Sequence, residues 1–272
     1  MDPVIFSIGN IEIRWYSVLI LLAFFLAFFI INKEAKRFSI KTDFIFNMLF
    51  WVLVMGVIGA RLYYVIFDWA SFKDDVWEIF RVWNGGLAIH GGIIAGLLTL
   101  IIYTKKYNVR TIRYVDFCVV GLIIAQAIGR WGNFFNSEAH GVATTLEHLQ
   151  ELHIPDFIIK GMNIDGINYY TPTFLYESIL CLIGFIVMLI IRRNKYLHVG
   201  DLTGFYLIYY GAIRIFIESS RTDSLMFLGF KVAQLVSIVM IVLGLVMVII
   251  NRKKGKFEDL YNDKSNIEVV RF

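Results

Sequence analysis

The 272-residue chain is 58% hydrophobic and only 18% charged, with a mean hydropathy of +0.67, which excludes an ordinary soluble globular domain. Its formal charge of +4 comes from Lys and Arg in short loops between apolar runs, so it carries no nucleic-acid signal and no nucleic-acid partner is expected. The runs are continuously apolar instead of alternating, which argues against a β-barrel and for an all-α, polytopic membrane bundle forming one integral membrane domain over 1–272.

Taken in chain order, the sequence predicts seven spans near the ~20 residues that cross a bilayer, at 15–32, 44–67, 87–104, 114–131, 172–191, 202–219 and 232–250. Ahead of the first, Asp2 and Glu12 with no Lys or Arg before Arg14 argue against a cleavable signal peptide. The third span holds Gly91, Gly92 and Gly96, which let a neighbouring helix come close. Residues 132–171 are the longest non-apolar stretch and are expected to form a small external cap, with a turn at Asn163-Ile164-Asp165-Gly166. Residues 251–272 read as a charged cytoplasmic tail. Cys118 and Cys181 fall inside apolar runs and are expected to be free buried thiols.

The loops alternate in charge. Basic clusters follow the first span (Lys33, Lys36, Arg37, Lys41), the third (Lys105, Lys106, Arg110, Arg113), the fifth (Arg192, Arg193, Lys195) and the seventh (Arg252, Lys253, Lys254, Lys256). The intervening loops are acidic or poor in Lys and Arg. The positive-inside rule then puts the N-terminus outside and the C-terminus in the cytoplasm.

Ionisable groups at span depth are costly and tend to mark function. In this topology Tyr16, Arg61, His90, Arg130, Glu177, Arg214 and Glu218 all fall near the outer ends of their spans, with Arg221 at the mouth of the sixth. Tyr210, Arg214, Glu218 and Arg221 recur at helical spacing and form one stripe. Blander roles fit several of them. Arg14, Trp15 and Tyr16 also suit an interfacial belt, Arg61 a snorkelling or paired arginine, and Glu177 the counter-ion of a buried arginine. Converging arginines near the outer leaflet suit a phospholipid phosphate, which guanidinium binds through paired hydrogen bonds. Asn133 and Asn136 with nearby glycine amides suit a polar head, and His90 a base near neutral pH.

The stretch Gly129-Arg130-x-Gly132-Asn133-Phe134-x-Asn136-x-Glu138-x-x-Gly141 resembles the signature of the prolipoprotein diacylglyceryl transferase family. Further blocks occur in the family's order: Arg14-Trp15-Tyr16, Gly59-Ala60-Arg61, Gly85-Gly86-Leu87-Ala88-Ile89-His90-Gly91-Gly92, Pro172-x-x-x-Tyr176-Glu177 and Tyr210-Gly211-x-x-Arg214-x-x-x-Glu218-x-x-Arg221. The chain departs from the common pattern at Ser17, Thr171, Phe174 and Arg221-Thr222-Asp223, the last resembling Gram-positive members.

The resemblance implies transfer of the diacylglyceryl group of phosphatidylglycerol to the lipobox cysteine of a secreted prolipoprotein, with no metal and no organic cofactor. The partners it implies are phosphatidylglycerol, the lipobox peptide and membrane lipid. The expected catalytic residues are His90, Arg130 and Arg214. Those expected to bind substrate are Tyr16, Arg61, Asn133, Asn136, Glu138, Gly141, Tyr210, Glu218 and Arg221. Two other classes are weighed. A CDP-alcohol phosphatidyl transferase would need an aspartate cluster for metal, absent from the sequence. A lipid or anion transporter would place its site near the midplane and show repeats.

Overall fold

A computed structural model of the chain describes residues 3–9, 11–222, 226–227, 229–255 and 259–263. Asp2, Asp223, Lys256 and most of the expected tail lie outside the described residues. The described chain is helical, with short two-stranded ribbons as its only sheets. Two compact units are present. The first takes the chain up to Ile31 and resumes at Val115; the second spans Asn32–Tyr114.

The second unit is built on α2 (Thr42–Phe67) and α3 (Ile89–Lys106). They pack antiparallel at close range through glycine. A Cβ added at Gly91 would lie 2.3 Å from the Gly59 carbonyl oxygen, and one at Gly59 would lie 2.8 Å from that of Gly91. No side chain fits between these backbones, which is how small residues bring membrane helices together. Near the start of α2 the fully buried Phe44 sits among the rings of Tyr103, Tyr107 and Tyr114, at 5.2–5.5 Å. Three short 3-10 turns, Trp69–Ser71, Val76–Phe80 and Val82–Asn84, carry the chain from α2 to α3.

The first unit opens with a hairpin that was not expected, β1 (Val4–Ile8) against β2 (Ile11–Arg14). It leads directly into α1 (Trp15–Arg37). The helix α4 (Thr111–Phe135) runs four residues past the expected end of its span. The physical reason is aromatic packing. Phe134 is 3% exposed in the core of the cap, and the Phe135 ring stacks on Trp15 at 4.9 Å. Gly129 to Phe135 is therefore helix, and the cap begins only after it.

The cap contains α5 (Leu146–Glu151) and α6 (Asp156–Gly161), and β3 (Ala143–Thr144) pairs with β4 (Tyr169–Tyr170). Leu149, Ile158, Ile159 and Met162 close its core against Phe134 and Phe174. The chain bends later than expected, at residues 165–167 instead of 163–166. The Asp165 carboxylate accepts from the backbone N–H of Ile167 and Asn168, from the Asn168 amide and from the Tyr170 hydroxyl. The bond from the Asn168 backbone leads in holding this carboxyl well below the usual carboxylate range, because each donor favours the charged form.

The helices α7 (Thr173–Ile191), α8 (Asp201–Ser219) and α9 (Val232–Lys254) complete the unit. The helix α8 is fixed from both ends. Asp116 of α4 is fully buried and accepts from the N–H groups of Gly200 and Thr203 and from the Thr203 hydroxyl at 2.6–2.9 Å, serving as an N-cap supplied by another helix. At the other end, Lys231 donates from Nζ to the carbonyls of Glu218 and Arg221, satisfying acceptors that a helix C-terminus leaves open. Both cysteines are free.

Among the described residues, five helices are long and apolar enough to cross a membrane: α1, α2, α4, α7 and α9. The other two expected spans are helices as well, α3 of 18 residues and α8 of 19. They are less apolar for identifiable reasons. The first starts with His90-Gly91-Gly92 and ends on two lysines, and the second carries Asp201, Arg214 and Glu218.

Candidate active site

In the first unit, α4, α7 and α8 bring their polar residues together. Glu177, near the start of α7, is 2% exposed. One of its oxygens lies 2.9 Å from Nη2 of Arg130, and the other 3.2 Å from Nη1 of Arg214. Arg214 also donates from Nη2 to Glu218, one helical turn on, at 2.7 Å. The Tyr210 hydroxyl donates to Glu177 at 3.2 Å and accepts from Arg130 at 3.3 Å. One buried carboxylate thus spaces two guanidiniums on different helices, with both oxygens in use.

Arg130 and Arg214 are matched in formal charge by Glu177 and Glu218. No net positive charge is left within this foursome, because Glu177 enters it as a second acid. What the pair offers is unspent donors. A guanidinium has five N–H groups, and Arg214 commits two of them among the described residues. The side chains of Arg130 and Arg214 are 19% and 15% exposed, against 2% and 4% for the two carboxylates. The acids are buried behind cations that retain access.

The signature continues this wall. Arg130 donates from Nη1 towards the side-chain Oδ1 of Asn133 at 3.4 Å. The Asn133 and Asn136 amides both donate to the exposed Glu138, at 3.0 and 3.3 Å. Ser137 and Ala139 take left-handed backbone, with φ of 55° and 58°, so the chain turns sharply here. Gly132 lies under Tyr16, where an added Cβ would meet the ring at 2.5 Å; the glycine lets α1 and α4 come together at this point.

Gly141 is buried in backbone. Its N–H donates to the Thr171 carbonyl at 2.9 Å, and it bridges to Arg221. Val142 N–H reaches the Ser220 carbonyl at 3.1 Å, and Thr173 Oγ1 donates to the Ala139 carbonyl at 2.8 Å. Thr171, a departure from the family pattern, donates its hydroxyl to the Val142 carbonyl at 3.0 Å. The end of the signature is knotted to the start of α7 and the end of α8, which carry Glu177 and Glu218.

Arg61 and His90 belong to the second unit. Arg61 is 5% exposed. Its guanidinium donates to the carbonyls of Glu78, Ile79 and Gly85 and, at up to 3.4 Å, of Gly86 and Arg81, with its centre 5.0 Å from the Phe72 ring. Gly85 and Gly86 have φ of 91° and 71°, and a Cβ at Gly86 would meet Arg61 Nη1 at 2.5 Å. The Gly-Gly of this block is thus explained by a backbone cradle around Arg61. His90 is exposed at the start of α3, with the Tyr63 ring 6.1 Å away. The glycines after it were expected to let a neighbouring helix come close, and Gly91 and Gly92 both meet α2.

Two contributors were underestimated from sequence. Glu177 stood in a recognised block at span depth but read as well as a plain counter-ion. Lys231 gave no signal, since a lysine at the start of a span is ordinary.

The prolipoprotein diacylglyceryl transferase family model matches residues 3–250. A protein of Staphylococcus saprophyticus named phosphatidylglycerol–prolipoprotein diacylglyceryl transferase is 44% identical over 255 residues, covering 93% of this chain and 91% of the relative. Proteins of the same name from Listeria monocytogenes, 46% identical with 93% and 91% covered, and Streptococcus suis, 45% identical with 94% of each covered, are equally similar. A match across nearly every element described above, at this identity, means that the chain belongs to the prolipoprotein diacylglyceryl transferase family.

Proposed function

We propose that this chain transfers the diacylglyceryl group of phosphatidylglycerol to the lipobox cysteine of secreted prolipoproteins, the first step of lipoprotein maturation. The observation that carries this reading is the pair of arginines, Arg130 and Arg214, spaced by the buried Glu177. A phosphodiester bears one negative charge in the ground state and gains another on the departing phosphate. Donors already held in place favour that growth of charge.

The step balances as follows. The lipobox thiol gives up its proton, and its sulfur bonds to the glyceryl carbon that carried the phosphate. The carbon–oxygen bond to phosphate breaks, its electron pair stays on oxygen, and glycerol phosphate leaves. A thiol with a pKa near ~8.5 is mostly protonated at neutral pH, so a base accelerates attack. His90 is assigned that part on its chemistry and on the family resemblance. Arg130 and Arg214 receive the phosphate, while Glu177, Glu218 and Arg221 hold Arg214 in place. Tyr16, Asn133, Asn136, Glu138, Gly141 and Tyr210 shape the head-group side. Arg61 serves substrate by holding the connection between α2 and α3.

Seven spans, with α3 and α8 crossing alongside the five most apolar helices, give the topology proposed: N-terminus outside, C-terminus cytoplasmic and chemistry near the outer leaflet. The four basic loops support it. It also suits a precursor that arrives after export. The deciding assay is release of glycerol phosphate from head-group-labelled phosphatidylglycerol by the purified chain. Release that requires a lipobox peptide bearing cysteine is expected, and release indifferent to the peptide refutes transfer. His90→Asn should lower the rate most at neutral pH; a wild-type rate across pH removes His90 from the base role.

A further inference from the structure

The second unit has a groove of about 440 Å³ that the transfer chemistry does not use. It lies between α2 and α3, where α2 begins and α3 ends, and Asn47, Trp51, Ile102, Tyr103 and Lys106 are among its walls. Trp51 and Ile102 are 47% and 66% exposed and form its apolar part. Asn47 is five residues into α2, about 8 Å along its axis, and Lys106 is the last residue of α3. The polar part therefore lies within about one and a half turns of the helix ends, at the depth where head groups meet hydrocarbon.

Three groups there lack an adequate partner. The Asn47 amide makes no hydrogen bond among the described residues. The Tyr103 hydroxyl is buried and makes no well-formed hydrogen bond among them, with the Tyr107 side chain interacting beside it. The Lys106 ammonium lies 5.5 Å over the Tyr107 ring, and no carboxylate lines the groove. Amide and hydroxyl groups held away from water are costly unless something satisfies them. One cation, one amide and one hydroxyl above an apolar trough match a phosphate above an acyl chain.

We infer that this groove holds an anionic glycerophospholipid of the inner leaflet, its phosphate on Lys106, Asn47 and Tyr103 and one chain along Trp51 and Ile102. The leaflet follows from the proposed topology, through Lys33, Lys36, Arg37, Lys41 and Lys105 at the same end of the unit. The site shares no residue with the Arg130–Arg214 pair and acts on a lipid that is held, not consumed.

The test is native mass spectrometry of the full chain, titrated with phosphatidylserine and, separately, with phosphatidylcholine. Lys106→Ala and Asn47→Leu should each weaken retention of phosphatidylserine about tenfold, the effect of losing one charge-assisted hydrogen bond. Lys105→Ala, which removes the same charge next door, should change it less than about twofold, and Lys106→Arg should retain it. Transfer activity should persist in all four variants, so failure of the lipid site is distinguishable from failure of the enzyme reading. Equal loss in Lys105→Ala and Lys106→Ala means diffuse surface charge and overturns the site. So does equal retention of phosphatidylcholine. Should the lysine variants fail to insert, Asn47→Leu keeps every charge, and unchanged retention there overturns the site by itself.

Discussion

Two arginine arrangements in this chain solve the same problem in opposite ways. Arg61 is surrounded by backbone carbonyls, and its guanidinium is consumed in shaping one connection. Arg130 and Arg214 are anchored through a shared carboxylate that leaves other edges of both guanidiniums uncommitted. Neutral carbonyls satisfy hydrogen bonds without cancelling charge, and five of them leave no room for a ligand oxygen. A carboxylate cancels charge yet occupies one edge only. Depth in a span is the same signal in both cases; the type of partner separates a structural arginine from one able to receive substrate.

The contrast is sharpest in paired substitutions. Arg130→Gln and Arg214→Gln should each lower transfer about 10²–10³-fold, the usual loss on removing one donor aimed at developing charge, while the protein still inserts and keeps its melting temperature within a few degrees. Arg61→Gln should do the reverse. It strands several buried carbonyls, at about 1–3 kcal/mol for each group left unsatisfied. Its first readout is a lower melting temperature and new protease cleavage between residues 68 and 88. A stable, uncleaved Arg61→Gln with transfer lost as deeply as in Arg214→Gln would erase the distinction drawn between them.

Smaller effects test what holds each arrangement. Glu177→Gln keeps the shape of the spacer but removes its charge, and should reduce transfer about tenfold while raising affinity for the anionic lipid, because both guanidiniums lose their competitor. Gly91→Ala should loosen the second unit by about 1–3 kcal/mol, since its methyl must displace the Gly59 backbone; thermal unfolding in detergent reads this.

The least effect concerns the cap. The Asp165 carboxyl has its pKa lowered by the folded turn, chiefly by the Asn168 backbone bond. Its contribution to stability is therefore complete above the unfolded value of about 3.9 and is lost as pH falls from there towards the folded value. Hydrogen exchange at residues 163–170 should accelerate over that acidic window in wild type, and Asp165→Asn should show the faster exchange already at neutral pH.

Much of the candidate site was legible from sequence because charge inside an apolar run is conspicuous. Arg130, Arg214, Glu218 and Tyr210 stood out by depth and helical spacing, and the structure brings them together. Glu177 was visible but ambiguous: a buried acid beside arginines looks the same whether it neutralises one cation or spaces two. Gly132 and Gly141 were recognisable by their positions in the signature, yet their work is against Tyr16 and against the Thr171 and Ser220 backbone, contacts that no local pattern announces.

By itself the sequence determined the class of the molecule, its helical runs, its alternating loop charge and its family, because hydrophobic length and charge are local properties that the bilayer sorts one segment at a time. Tertiary structure alone decided which arginine is spent on carbonyls and which two share an acid. It also decided that α4 extends through Phe135 under the pull of the cap's aromatic core, and that Lys231 and Asp116 hold the ends of α8. Each of these depends on a partner far away in the chain, and the direction of a hydrogen bond exists only once both partners are in place.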